Sequence, residues 1–91
     1  TEAEQMLNLQ FESAKSDYEF SIEQYATSKS NLKLAERIEN KQQIKFKEGL
    51  SSSFEFSEAQ RQLYSAQQSY LQAVIDVINK KTSLDKITNK Q

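Results

Sequence analysis

A single glycine and no proline stand in 91 residues, and that shortage of helix breakers fixes the fold class before any other property is weighed. On either side of Gly49 no residue forces the backbone out of a helix. Gly49 lies in Lys47-Glu48-Gly49-Leu50-Ser51-Ser52-Ser53. Glycine just past a helical run is the usual left-handed C′ residue, because it enters that backbone region without a Cβ clash. Lys41, Lys45 and Lys47 fill the preceding turns, where cations suit the negative end of the helix dipole. Immediately beyond, Ser52-Ser53-Phe54-Glu55 has the Ser-x-x-Glu form of a capping box, in which hydroxyl and carboxylate each satisfy an orphan backbone N–H. One helix ends here and another begins, across a turn at 48–52.

Both arms carry the same hydrophobic period. On the first, Leu7, Phe11, Ala14, Tyr18, Ser21, Tyr25, Ser28, Leu32, Ala35, Glu39, Gln42 and Phe46 recur in alternating steps of four and three. On the second, Phe56, Ala59, Leu63, Ala66, Tyr70, Ala73, Val77, Lys80, Leu84 and Ile87 do the same. Such alternation is the seam of a coiled coil. The expected fold is all-α, a long antiparallel two-helix coiled-coil hairpin with helices over about 2–47 and 53–88. In such a pair the numbers of facing residues sum to a constant, and one constant matches slim residues to bulky ones at nearly every layer, Phe11 against Ile87 being the exception. It sets Ala35 against Leu63, Leu32 against Ala66, Ser28 against Tyr70, Tyr25 against Ala73 and Ser21 against Val77. Alternating volumes let two helices interdigitate at constant separation. At about 1.5 Å per residue the arms are about 70 and about 53 Å long, so the chain is a rod.

Charge supports the same folding back. Glu2, Glu4, Glu12, Asp17, Glu19 and Glu23 dominate the start, and Lys80, Lys81, Lys86 and Lys90 the end. Near the tip, Lys41 and Lys45 are expected to approach Glu58 and Glu55. Exposed pairs contribute only about 0.2–1 kcal/mol each, so they select direction more than they stabilise. Two features mark the hairpin as incomplete. Thr1 to Gln10, with Met6, Leu7 and Leu9, overhang the second arm. Tyr64, Leu71, Val74 and Ile78, with Gln60 and Gln67 between, form a second stripe beside the seam. A helix with two adjacent seams packs against two neighbours, so self-association is expected. A hydrophobic fraction of 36% and a mean hydropathy of -0.80 agree, since a short chain of this composition buries little core alone.

Cysteine and histidine are both absent, which excludes disulfides, thiolate and imidazole metal sites, Cys nucleophiles and the commonest general base. Neither catalysis nor a cofactor is expected. A net charge of -1 gives no reason to expect nucleic acid. The longest apolar run, Ala73-Val74-Ile75, falls far short of the roughly 18 residues of a membrane-spanning helix, and nothing resembles a signal peptide.

From Lys45 to Lys81 the chain resembles the C-terminal helical hairpin of the TolC-like outer-membrane efflux proteins. The pattern is an aromatic residue, a glycine three positions on, hydroxyl residues, then Ala-Gln, Leu, Ala and Tyr at fixed steps. Phe46, Gly49, Ser51 to Ser53, Phe56, Ala59-Gln60, Leu63, Ala66-Gln67 and Tyr70 carry it here, and Asn31-Leu32-Lys33-Leu34-Ala35-Glu36 is similar to the preceding helix. The resemblance implies one hairpin from the periplasmic α-barrel of a homotrimeric outer-membrane channel, a passive conduit serving multidrug efflux or type I secretion. Its entrance would meet a periplasmic adaptor, or membrane fusion protein, that connects it to an inner-membrane transporter. Residues 1–91 would be a single segment of that barrel.

The same resemblance assigns adaptor docking to Gly49, Leu50, Ser51 and Ser52, whose local chemistry already calls for a helix-terminating turn. It makes Glu55 and Glu58 candidates for a pore-facing acidic ring at the entrance, although acids in a first helical turn are favoured by the dipole whatever the function. Where some family members latch the entrance with Tyr and Arg, this chain has Phe46 and Ser51, which supply neither a phenolic donor nor a charge. Tyr25, Leu32, Ala35, Leu63, Ala66, Tyr70 and Ala73 are expected to pack between the helices. A periplasmic adaptor hairpin is one rival, but the Arg-Leu-Ser-like motif expected beside its turn is missing. A purely structural coiled-coil module is another, and it needs neither the Ala-Gln repeats nor the second stripe.

Overall fold

The computed structural model describes residues 1–89. Two antiparallel helices, α1 (Glu2–Lys47) and α2 (Ser53–Asn89), form the whole of it, in a rod 71 Å long and 15 by 14 Å across. The periodicity placed both helices, with α2 one residue longer than expected.

The seam is where the heptads put it. From Leu7 to Gln42 every seam residue of α1 is buried or half-buried, and so is every seam residue of α2 except Lys80. Among the described residues only Ser21, Ala59 and Ala73 are buried, and even these keep a trace of exposure. All three are slim, because two helices cover each other along one line and a bulky side chain in that line keeps an outer edge wet. The Ser21 hydroxyl donates to the Tyr18 carbonyl at 2.6 Å, so its burial leaves no unmet hydrogen bond.

One detail goes beyond the sequence expectation and another differs from it. Tyr25, expected in the layer of Ala73, sets its ring 5.6 Å from that of Tyr70, tilted by 37°, with the two hydroxyls 3.4 Å apart. A phenol reaches past one layer of the seam, and a half-buried hydroxyl gains by finding a partner. The cross-helix ion pairs are also absent among the described residues. Glu58 pairs instead with Arg61 of its own helix at 3.2 Å, and Glu55 meets Ser51; Lys90 lies outside the described residues. Exposed ion pairs gain too little to hold long side chains in one geometry. Packing, not pairing of charges, fixes the direction.

The rod leaves much apolar surface in water; Leu9, Ile22, Ile44 and Ile75 are exposed outside any row, but much of the rest falls into two. Met6, Phe20, Leu34 and Ile38 of α1 are exposed, and each immediately precedes a seam residue. Tyr64, Leu71 and Ile78 of α2 are exposed, and each immediately follows one. At 100° per residue those positions flank a seam on opposite sides. A shallow groove confirms the assignment, because Leu34 and Ile38 share it with Gln62, Ser65 and Ser69, which precede seam residues of α2. The α1 row therefore lies on one face of the two-helix ribbon and the α2 row on the other.

Wetting both rows opposes solubility as a single hairpin. Sedimentation should show mass rising with protein concentration, whereas a well-folded monomer at high concentration would contradict this. The tyrosine pair makes stability depend on alkaline pH. Its hydrogen bond to Tyr25, and then burial, raise the Tyr70 pKa above the usual 10.0. The folded state thus holds that proton more tightly, so the contribution is intact below pH 10 and fades as pH climbs through the raised value. Thermal melts should lose stability there, and Tyr70→Phe should flatten that part of the profile.

Candidate functional site

Among the described residues the backbone breaks from helical geometry inside the rod only at the tip, and the chain closes it with its own groups. Glu48 caps α1 in a right-handed conformation, with φ -86° and ψ -1°, and Gly49 follows at φ 75°. The Gly49 N–H donates to the Phe46 carbonyl at 3.1 Å and the Leu50 N–H to the Lys45 carbonyl at 2.8 Å. These two bonds complete a Schellman motif, satisfying carbonyls that every helix end leaves orphaned. The glycine reading of the turn stands, and its φ gives the reason.

On the far side of the turn the expected capping box is half formed. The Glu55 N–H donates to Ser52 Oγ at 3.2 Å, as the motif requires. The Glu55 carboxylate turns to Ser51 instead, with Oε2 2.8 Å from the Ser51 hydroxyl. The same hydroxyl lies 2.8 Å from Gln42 Oε1 and 3.5 Å from the Ser52 carbonyl. Ser51 is half-buried between these partners. A step below, Phe46 and Phe56 stack across the helices with centroids 5.3 Å apart and planes 27° from parallel. That contact occupies the position from which a tyrosine latch would have reached out.

Two apolar side chains point away from this closed turn. Leu50 and Phe54 are each 73% exposed. Phe54 is missing from the sequence-based site, since it falls on neither seam nor stripe; a large aromatic off both periods was the available signal. Of the four docking candidates, Gly49 supplies the turn, Leu50 is presented outward, and the hydroxyls of Ser51 and Ser52 are spent on neighbours. The two acidic candidates differ as well. Glu58 has Arg61 beside it, whereas Glu55 has no cation within ion-pair distance among the described residues and keeps its charge uncompensated. Both line the tip end of the groove, with Ile38, Gln42 and Phe54. Among the described residues no group of three or more acidic side chains is placed to hold a metal. Of the packing candidates, Ala73 is buried, and Tyr25, Leu32, Ala35, Leu63, Ala66 and Tyr70 are half-buried in the seam.

Compared with known families, the chain matches the one described as outer membrane efflux protein across residues 1–90. It belongs to that family. No curated protein and no solved structure matches it. The hairpin is accordingly a component of an outer-membrane efflux protein, in line with the TolC-like pattern around Gly49. No helix among the described residues is long and apolar enough to cross a membrane.

The turn of this efflux hairpin rests on one backbone angle. A Cβ added at Gly49 would meet nothing within 4 Å, so any penalty for substitution is conformational and not steric crowding by neighbours. Gly49→Ala should lower stability by about 1–2 kcal/mol, and Gly49→Asn by less, because asparagine tolerates the left-handed region. Denaturant unfolding of the three proteins checks the order.

Proposed function

We propose that the hairpin is one stave in the wall of a periplasmic helical barrel, within a homotrimeric outer-membrane efflux channel, and that its tip forms part of the channel entrance. The observation that carries this reading is the pair of apolar rows on opposite faces of the ribbon, taken with family membership. A self-contained dimer uses one patch twice. A hairpin with unlike patches on its two faces makes head-to-tail contacts instead, and these close into rings when the rotation permits. The 71 Å length suits a wall that spans distance, and nothing in the reading asks the hairpin to supply chemistry or energy.

At the entrance, Leu50 is the anchor for a periplasmic adaptor, which links the conduit to an inner-membrane transporter. The contact made by one tip is small, and repetition around a ring gives it strength. Glu55 and Glu58 face the aqueous path there and favour cations, with Glu55 the stronger because Arg61 offsets Glu58. The rival reading as an adaptor hairpin loses support from the family match, and a bare structural coiled coil has no use for two wet apolar rows.

The direct test is Leu50→Asp in the full-length protein. Helix content should be unchanged, since the side chain is exposed, while capture of the adaptor is lost. Retained capture at wild-type level would remove the docking role.

A further inference from the structure

The tip serine at position 51 does something other than face a partner. Its hydroxyl is held inside the turn at 2.8 Å from Gln42 of α1 and at 2.8 Å from Glu55 of α2. A hydroxyl has one proton, so it cannot donate to both an amide oxygen and a carboxylate. The charged acceptor takes the proton, since hydrogen bonds to ionised groups are the stronger. The Gln42 amide, whose oxygen and nitrogen are interchangeable by a flip, then donates its N–H to the Ser51 oxygen. The relay runs Gln42 to Ser51 to Glu55, each of its two hydrogen bonds donated in the same direction.

We propose that Ser51 is a positioning residue, a clasp that ties the last turns of α1 to the first turn of α2 and thereby sets how the tip is presented. Three observations on the page converge on it. Glu55 abandons the reciprocal half of its capping box for the serine, which costs its helix start one ordinary cap. Gln42 is a polar residue on the seam, half-buried, and this is its only side-chain hydrogen bond among the described residues. Leu50 and Phe54, the most exposed large apolar residues of the chain, bracket Ser51 in sequence, so the clasp limits the freedom of both. Holding them in place before binding spares the ordering cost that a mobile tip would incur. Ser51 thus acts through Leu50, Phe54 and Glu55 and is not itself the surface a partner touches.

The functional half of this inference rests on the docking role given to the tip above; the structural half does not, and the experiment separates them. In the full-length protein, hydrogen–deuterium exchange is read on peptides spanning 44–56 for Ser51→Ala, Gln42→Met, the double variant and Ser51→Thr, with peptides from the middle of α2 as the control for intact folding. Each single substitution should speed exchange at the turn roughly fivefold, the equivalent of one ordinary hydrogen bond. The double variant should add nothing further, because either change alone opens the relay, and Ser51→Thr should restore protection. Adaptor affinity should fall by a similar factor in Ser51→Ala and recover in Ser51→Thr. Unchanged turn exchange in Ser51→Ala, or effects of the two single changes that multiply in the double, would overturn the clasp. If exchange responds as expected while Leu50→Asp still binds adaptor normally, the clasp stands and the docking reading falls. If Leu50→Asp loses binding while Ser51→Ala exchanges and binds like the wild type, docking stands and the clasp falls.

Discussion

Slim side chains of one helix set against bulky ones of the other form the contact on which the rest of this hairpin depends. Ser21, Ala59 and Ala73 are the only buried residues among those described, and none is large. Their small volume lets two backbones run side by side for the length of the rod. Hydrophobic gain along such a line is limited, because a side chain there is covered from one direction only. The hairpin consequently holds its shape by repetition of one modest contact and leaves both outer faces unsatisfied.

That incompleteness fits a stave better than a free-standing domain. An apolar row on each face, offset to opposite sides by the antiparallel arrangement, leaves each hairpin two different apolar faces to cover. The polar economy of the tip fits the same setting. Its backbone bonds close within the Schellman motif, its serines serve Gln42 and Glu55, and what remains outward is aliphatic, aromatic and acidic. A surface of that make-up meets a partner through shape and apolar contact while leaving one carboxylate charge without a counterion.

Much of this was legible because helix periodicity is local. Steps of three and four placed Leu7 through Gln42 and Phe56 through Ile87 on one seam without any knowledge of the partner, and Lys80 was the visible misfit. Gly49 was legible for a different reason: only glycine enters a left-handed turn freely, so a lone glycine in an unbroken helical sequence marks its own conformation. Charge was the poor guide. Lys41 and Lys45 sit at suitable heights to meet Glu58 and Glu55, but height along a rod does not bring flexible side chains into contact, and both acids found nearer partners.

The sequence by itself determined that there are two helices, where they break, which stripe each buries and that they run antiparallel, since all four follow from spacing, backbone preference and volume matching along the chain. Only the tertiary structure decided that Tyr25 meets Tyr70, that Ser51 turns inward to join Gln42 to Glu55, and that Phe54, like Leu50, stands in water. Those outcomes depend on side-chain rotamers and on distances of a few ångströms across two backbones. A repeat pattern fixes direction around one helix and leaves such distances open until the second helix is in place.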